Sequence, residues 1–115
     1  MSKRLTTDEA QTATLLVTEG SPHCYKVRKW RYPALAIGMC DREALEPASR
    51  VFHRAITTAR SKERSCPPED FPPDGKGYWF IRTTGTKAEK VVKRLNPLLT
   101  TKFRRRWKKI LEECT

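Results

Sequence analysis

The chain has 115 residues, which suffice for a single domain spanning residues 1–115 and exclude a second core. Its 24 Lys and Arg residues exceed its 13 Asp and Glu residues and give a formal net charge of +11, so we expect a polyanionic partner. No segment is apolar enough for a signal peptide or a membrane span, so we expect a protein that is neither secreted nor embedded in a membrane.

The first predicted element is a helix that begins at Thr6 or Thr7 and ends at Glu19. Thr6 and Glu9 form a capping-box pattern, and Gly20 is the expected C-terminal cap. Short side chains recur on one side of this helix, which would let a partner helix approach closely. The residues on that side are Ala10, Ala13, Thr14, Val17 and Thr18.

Glu19 is an unexpected residue for the end of this helix. An anion is mildly disfavoured at the negative end of a helix dipole unless a cation lies nearby. Glu19 is therefore a candidate functional residue, and the alternative is a solvated glutamate that precedes a turn at Ser21 and Pro22.

A basic and aromatic segment follows, and we expect it to be extended from Cys24 to Tyr32. Basic residues alternate there with aromatic and apolar ones, a pattern that predicts phosphate contacts and apolar contacts from one face of a sheet. A solvated edge strand protected by its charges is the alternative. The basic residues are Lys26, Arg28, Lys29 and Arg31.

Pro33 begins the next predicted strand, and small residues alternate there with residues that point to the core. The core residues are Leu35, Ile37 and Met39. A second helix is expected after Asp41, which is a favourable N-cap. Pro47 leaves two alternatives open, because the helix either begins near Glu46 with the proline in its first turn or begins at Asp41 and is kinked.

The middle of the chain carries two further predicted strands and a loop. Ile56 to Arg64 is a weakly patterned, basic strand, and the proline-rich residues 66–75 form a loop. Tyr78 to Thr83 has the strongest strand propensity and should lie centrally in the sheet. The basic residues of this region are Arg60, Lys62, Arg64, Lys76 and Arg82.

Two helices are predicted at the end of the chain. Thr86 and Glu89 repeat the capping box, and Asn96-Pro97 stops that helix. Thr100 or Thr101 caps the last helix, whose buried stripe is Phe103, Trp107, Ile110 and Leu111. Residues 87–109 include ten basic residues and one acidic residue, which favours contact with phosphates; a basic face without a partner is the alternative.

The elements follow one another as helix, strand, strand, helix, strand, strand, helix and helix. This order predicts an α+β fold in which two helix–hairpin units form a four-stranded antiparallel sheet. Helices should cover one face of the sheet, and the other face should be bare and basic.

The cysteines, Cys24, Cys40, Cys66 and Cys114, lie far apart without a Cys-x-x-Cys pair. With only two histidines in the chain, this spacing indicates neither a zinc ribbon nor a disulfide framework. We therefore expect free cysteines in a reducing, cytoplasmic compartment.

The stretch Thr12–Gly20 and the order of the elements resemble the single-motif LAGLIDADG homing endonucleases, especially the small phage and bacterial members. Ala13, Leu15, Leu16 and Gly20 match or conserve apolar and glycine positions of the motif. Glu19 occupies the place of its last acidic residue, and Val17 replaces its other acidic residue. The likeness covers about Thr12 to Leu111 and includes the stretches Tyr32–Asp41, Tyr78–Gly85, Leu95–Leu99 and Phe103–Lys109.

This resemblance implies an αββαββα fold and a homodimer that cuts specific sites in double-stranded DNA by Mg²⁺-dependent phosphodiester hydrolysis. Glu19 would be the catalytic residue, and Glu19 and Gly20 would hold the metal. The dimer interface would contain Ala10, Ala13, Thr14 and Val17. DNA contacts are implied for Lys26, Arg28, Lys29, Arg31, Arg60, Lys62, Arg64, Lys76 and Arg82.

Two other functions stay open. One is a non-cleaving DNA- or RNA-binding protein on the same fold, either a regulator or a maturase. The other is a structural RNA-binding protein, which the charge alone permits. Glu19-Gly20 at a helix end favours the endonuclease and the non-cleaving protein over this structural protein. All of them are expected inside a bacterial cell, a phage-infected cell or an organelle.

Overall fold

The computed structural model describes residues 4–60, 66–70, 72–73 and 77–114. Three short 3₁₀ turns occur in these ranges, at Glu43–Leu45, Pro68–Asp70 and Asn96–Leu98. The helices and strands are α1 Thr7–Glu19, β1 Gly20–Val27, β2 Trp30–Met39, α2 Glu46–Phe52, β3 Thr57–Arg60, β4 Gly77–Thr84, α3 Gly85–Leu95 and α4 Thr101–Glu113. The predicted α+β class and the predicted order of elements are confirmed.

The strands form one antiparallel sheet in the order β1-β2-β4-β3. β4 lies between β2 and β3, so the predicted central position of the strand at Tyr78 to Thr83 is confirmed. Leu35 lies opposite Pro22 and Thr83, and Ile37 lies opposite Ile81. Directly opposed residues point the same way, so these side chains share one face of the sheet.

The helices pack on that face. α1 and α3 contact β2, α3 also contacts β4, and α4 contacts β1. Each helix contributes to one buried cluster with the strands, through Leu16, Phe52, Leu95 and Trp107. The opposite side is not covered by any element that the structure describes, and we call it the open face.

α1 forms as its sequence predicts. Thr6 Oγ1 accepts a hydrogen bond from the Glu9 amide at 3.1 Å, and Glu9 Oε1 accepts one from the Thr6 amide at 2.9 Å, which completes the capping box. Gly20 ends the helix with an extended backbone, at φ −76 and ψ 150, and its amide donates to the Leu16 carbonyl. Only glycine fits at this position, because a Cβ would lie 2.6 Å from Leu16 Cα.

Two ion pairs join the N-terminal part of α1 to α2 and α3. Arg50 donates to Asp8 at 2.8 and 3.0 Å, and Arg94 donates to Glu9 at 2.6 and 3.2 Å. The Glu9 side chain is 14% exposed, against 35% for Asp8. The Arg94 hydrogen bonds, helped by the Thr6 amide, lower the pKa of Glu9 to about 2.

The stability that Glu9 supplies should disappear in acid. The pKa of Glu9 falls from 4.5 to about 2 on folding, so its contribution is complete above pH 4.5 and is lost as the pH falls towards 2. Because the pair partly faces solvent, Glu9→Gln should lower the unfolding free energy by about 1 kcal/mol near pH 7 and by much less near pH 2. Urea unfolding at both pH values measures this, and equal losses would contradict it.

α2 settles the position of Pro47. The helix begins at Glu46 with Pro47 in its first turn, after the 3₁₀ turn Glu43–Leu45, so the first of the two alternatives is confirmed. α2 ends at Phe52, because His53 takes a left-handed conformation with φ 54. His53 is exposed.

The first hairpin differs from the predicted one. Ser21 and Pro22 lie within β1 and form no turn, which an edge strand tolerates because the missing proline N–H can face outward. The turn is the pair Arg28-Lys29, where Val27 lies opposite Trp30. Arg28 has φ 55, a conformation usually left to Gly or Asn, so the sequence carries no ordinary turn signal at this point.

The last two helices match the prediction except at one end. α3 begins at Gly85 with Thr84 as its N-cap, so the predicted cap at Thr86 is two residues too late. α3 stops at Leu95, before Asn96-Pro97, as predicted. Thr100 caps α4, and its Oγ1 accepts a hydrogen bond from the Phe103 amide at 3.1 Å.

The cysteines are bonded in two disulfides, so the prediction of free cysteines is wrong. Cys24 of β1 bonds Cys114 at the end of α4, and Cys40 after β2 bonds Cys66. The partners are 90 and 26 residues apart in sequence, and only the fold brings them together. The bonds remove the reason for expecting a reducing compartment.

Candidate nucleic-acid interface

The middle of the open face has small residues on β2 and polar residues beside them. Gly38 of β2 leaves room for the Tyr78 ring, since a Cβ there would lie 2.6 Å from it. The buried Ala34 and Ala36 also occupy the middle strand. Two cross-strand rows, which we call the inner rows, begin close to Glu19: Ser21–Ala36–Arg82 and His23–Ala34–Thr84.

Arg82 is held between two aromatic rings on the open face. Its guanidinium carbon lies 4.4 Å from the centre of the Tyr25 ring and 4.9 Å from that of Phe80. Tyr78 adds an edge-to-face contact with Phe80, with the ring centres 6.3 Å apart. Among the described residues, the buried Nε of Arg82 has no hydrogen-bond partner. This cation is therefore fixed in place and still has donor capacity.

The open face is bare of described elements, as predicted, but it is aromatic where the prediction made it basic. Alternate residues of a strand point to opposite sides. In the first hairpin the aromatic residues Tyr25, Trp30 and Tyr32 lie on the open face, and Lys26 and Arg31 therefore point to the other side. The prediction placed both kinds of residue on one face, which the alternation forbids.

The predicted DNA-contacting residues are spread over several surfaces. Arg28 and Lys29 lie at the hairpin turn, Lys26 lies opposite Arg31, and all four are exposed. Arg60 lies at the end of β3, opposite Gly77, on the side that carries the helices. Arg82 alone of the predicted set lies on the open face within the described ranges. Lys62, Arg64 and Lys76 lie outside the described residues.

α4 carries a second basic surface, away from the open face. Phe103 and Trp107 are buried against the core, as predicted, while the basic residues between and beside them are exposed. Arg104 donates from Nε and Nη2 to the Leu99 carbonyl at 3.1 and 3.0 Å. The other basic residues of α4 are Lys102, Arg105, Arg106, Lys108 and Lys109. This surface suits phosphates, because its cations are exposed along one helix.

Glu19 is exposed at the end of α1, next to a stripe of small residues. Ala10, Thr14 and Thr18 are exposed on the same helix, and we call them the α1 stripe. The Thr14 and Thr18 hydroxyls donate to carbonyls one turn earlier, at 3.1 and 2.8 Å, so the stripe presents mostly methyl groups.

The other predicted interface residues of α1 lie differently. Ala13 is buried in the core of its own chain, so it is not available to a second copy. Val17 is partly buried against the same core. The predicted interface is therefore reduced to its outer residues.

The donors at this end of α1 can be compared with what Mg²⁺ requires. Among the described residues, no group of three or more His, Cys, Asp or Glu side chains could hold a metal ion within one chain. Mg²⁺ needs fewer protein ligands, because it keeps several waters and binds one or two carboxylates together with substrate phosphates. One Glu19 from each of two chains fits that donor set. Gly20 can offer only its carbonyl oxygen.

Sequence reasoning missed the stacked group of Tyr25, Phe80 and Arg82. Tyr78, Phe80 and Arg82 share one side of β4 by simple alternation, and that signal was present in the sequence. The missing information was the register against the first hairpin, which brings the Tyr25 ring over Arg82.

Comparison with protein-family models, with curated proteins and with solved structures finds no match. None of the helices in the described ranges is long and apolar enough to cross a membrane.

Proposed function

We propose that the chain is a homodimeric, Mg²⁺-dependent endonuclease that cuts specific sites in double-stranded DNA, of the LAGLIDADG homing endonuclease type. The observation that carries the proposal is the position of Glu19. This carboxylate is exposed where the α1 stripe ends and where β1, the first strand of the open face, begins. One residue thus adjoins a surface suited to a second helix and a surface suited to a duplex.

The fold supports the proposal by its element order. The described elements run α1, β1, β2, α2, β3, β4, α3 and α4, which agrees with the αββαββα order of that family followed by one more helix. Thr14 and Thr18 stand where the family has Gly or Ala at its helix contact. Both are exposed and small, so they retain the property that the contact needs.

Dimerisation through the α1 stripe would supply two Glu19 carboxylates to one site. Small side chains allow two helices to approach closely, as packing of helix pairs requires. Beside the stripe lies a cleft of about 450 Å³, lined by Gln11, Thr14, Leu15, Asp41, Glu43, Ala44 and Pro47, which a side chain of a second copy can enter. The methyl-covered stripe and this cleft together form the proposed interface.

The DNA would lie against the inner rows, close to Glu19. Ser21, His23 and Thr84 would offer hydrogen-bonding groups to base edges. The exposed Arg28 and Lys29 at the hairpin turn would contact phosphates farther along the duplex. An intracellular location is part of the proposal because genomic DNA would be the substrate; it no longer has the support of free cysteines, since all four are bonded.

Bound Mg²⁺ would lower the pKa of an attacking water and stabilise the charge that develops on the phosphate. The chain contributes the Glu19 carboxylates that hold the ion. It also contributes the α1–β1 junction, where Gly20 packs against Leu16 and fixes Glu19 relative to the sheet.

A plasmid-library cleavage assay tests this function. The purified chain should linearise a subset of plasmids in Mg²⁺ and none in EDTA, and sequencing of the cut ends should give one shared site. Random nicking that is equal with and without Mg²⁺ would contradict the proposal.

The dimer has a separate test in Thr14→Arg. The arginine should separate two α1 stripes by its bulk and by like-charge repulsion, and an exposed site should accept it without unfolding. Sedimentation at micromolar concentration should find wild-type dimers and Thr14→Arg monomers with equal circular dichroism. Thr86→Arg, the same change at an exposed threonine of α3, should stay dimeric. Wild-type monomers with and without DNA would refute the dimer.

A non-cleaving DNA- or RNA-binding protein on the same fold is the second candidate. It is favoured by Val17, which stands where the family has its other acidic residue and is partly buried against the core. Such a protein would bind its nucleic acid in Mg²⁺ or Mn²⁺ and leave it intact.

A further inference from the structure

The outer part of the open face is made of large apolar side chains that face solvent. We define the aromatic patch as Tyr25, Val27, Trp30 and Tyr32, at the end of the β1–β2 hairpin. Tyr25 lies opposite Tyr32, and Val27 lies opposite Trp30, so all four share the open face. Trp30 is 58% exposed, Val27 41% and Tyr32 39%. An exposed cluster of this kind indicates a binding surface.

Arg82 extends the aromatic patch towards the middle of the sheet. Its guanidinium lies between the Tyr25 and Phe80 rings, at 4.4 and 4.9 Å. The plane of a guanidinium stacks on flat aromatic groups as the rings themselves do. The Tyr25–Arg82–Phe80 stack therefore holds the inner end of the aromatic patch in place, and the exposed rings of Trp30 and Tyr32 supply its flat surfaces.

Cations surround the aromatic patch, and one of them lies over the Trp30 ring. Arg28 and Lys29 form the turn between its two strands, and Lys29 Nζ lies 5.6 Å from the centre of the Trp30 ring. Lys26 and Arg31 lie on the reverse side of the same hairpin. With a net charge of +11 on the whole chain, this setting favours a polyanion whose backbone follows the hairpin edge while its flat groups contact the rings.

A duplex cannot use such a surface fully. Its bases are stacked on one another and offer only their edges in the grooves, whereas an unpaired base offers its whole face to an aromatic ring. A four-stranded antiparallel sheet with helices on one side and aromatic residues on the other is an architecture that stacks unpaired RNA bases. The patch also carries the phenol groups of Tyr25 and Tyr32, which can donate and accept hydrogen bonds, as a ribose 2′-hydroxyl also can.

We infer that the aromatic patch binds unpaired bases of single-stranded RNA. This inference goes beyond the proposed endonuclease function, because it uses neither Glu19 nor the dimer. It gives the chain a second nucleic-acid partner at the outer end of the open face.

Intrinsic fluorescence and anisotropy test the inference on the whole chain in EDTA. The probe is a single-stranded RNA of about 12 nucleotides, compared with the same RNA annealed to its complement. The single strand should bind about tenfold more tightly than the duplex. It should also quench tryptophan emission, because Trp30 is far more exposed than Trp107, which is 5% exposed.

Variants locate the binding. Trp30→Ala with Tyr32→Ala should weaken single-strand binding by about tenfold or more. Trp30→Phe should keep most of the affinity and lose most of the quenching, since the stacking ring remains. Leu98→Ala, which truncates a residue 43% exposed outside the sheet, should change nothing.

Three results would overturn the inference. In the first, duplex RNA binds as tightly as the single strand. In the second, the Trp30→Ala, Tyr32→Ala variant is folded by circular dichroism and binds the single strand as tightly as wild type. In the third, a DNA strand of the same sequence binds at least as tightly as the RNA. The RNA measurements use neither Glu19 nor Mg²⁺, so a failure of the endonuclease proposal does not affect this test.

Discussion

Replacing Glu19 by glutamine should abolish DNA cleavage and leave DNA binding intact. Gln keeps the size of the side chain but removes the anion that would hold Mg²⁺. The rate of plasmid cleavage should fall by about 100-fold or more, the scale of losing a transition-state contact. Affinity for the target duplex, measured without Mg²⁺, should stay equal or rise, because a negative charge beside phosphates is lost.

Two further readouts make the Glu19 experiment decisive. Glu89→Gln removes one exposed carboxylate from α3 and serves as the matched charge control, so its cleavage rate should equal that of wild type. Mg²⁺ should raise the melting temperature of the wild-type dimer, since it relieves repulsion between two carboxylates, and should not raise that of Glu19→Gln. Unchanged cleavage by Glu19→Gln would show that the site assignment is wrong. A wild type that binds DNA tightly and never cuts in Mg²⁺ or Mn²⁺ would instead be the non-cleaving protein.

Loss of the Cys24–Cys114 disulfide should produce the largest change in stability. The bond closes a loop between residues 90 apart, and the chain-entropy treatment assigns such a loop about 4 to 5 kcal/mol. Cys24→Ser with Cys114→Ser should therefore unfold at much lower urea than the oxidised wild type. Removing the Cys40–Cys66 bond, which links residues 26 apart, should cost about 3 to 4 kcal/mol.

Reduction supplies the control for the disulfide experiment. In excess dithiothreitol the wild type loses both bonds, so its unfolding free energy should fall to or below that of the oxidised double serine variant. The reduced double serine variant should lose only the stability that its Cys40–Cys66 bond contributes. Thiol titration of the unfolded, unreduced protein should find no free thiol, because all four cysteines are bonded. Four titratable thiols, or equal urea midpoints for variant and oxidised wild type, would exclude the bonds in solution.

The sequence predicted the elements whose signals are local. α1 and α4 carry caps and an apolar side within one segment; α1 was found within a residue of both expected ends, and α4 begins where its cap was expected. β4 was recognisable because aromatic and β-branched residues follow one another at Tyr78 to Thr83. These features depend on neighbours in the chain, so a single sequence contains them.

The features that were missed depend on distant parts of the chain. The turn at Arg28-Lys29 lacks Gly and Asn, and the pairing of two strands holds Arg28 at φ 55. The disulfides join residues that only the packed fold brings together. Alternation along the strand already puts Lys26 on the side opposite Tyr25, but the pairing with the rest of the sheet decides which of the two faces the helices. For the candidate site, Glu19 was identified from its place in a motif, and the aromatic surroundings of Arg82 were not.

The joint between α1 and β1 has a mechanical consequence. Helix and strand meet at consecutive residues, Glu19 and Gly20, and the glycine packs against Leu16 with no room for a side chain. The helix therefore cannot swivel on the sheet as it could on a loop, and any tilt or displacement of α1 moves the open face with it. In a pair of chains joined through α1, the size of the side chains in the α1 stripe would therefore set the distance between the two helices and, with it, the distance between the two sheets.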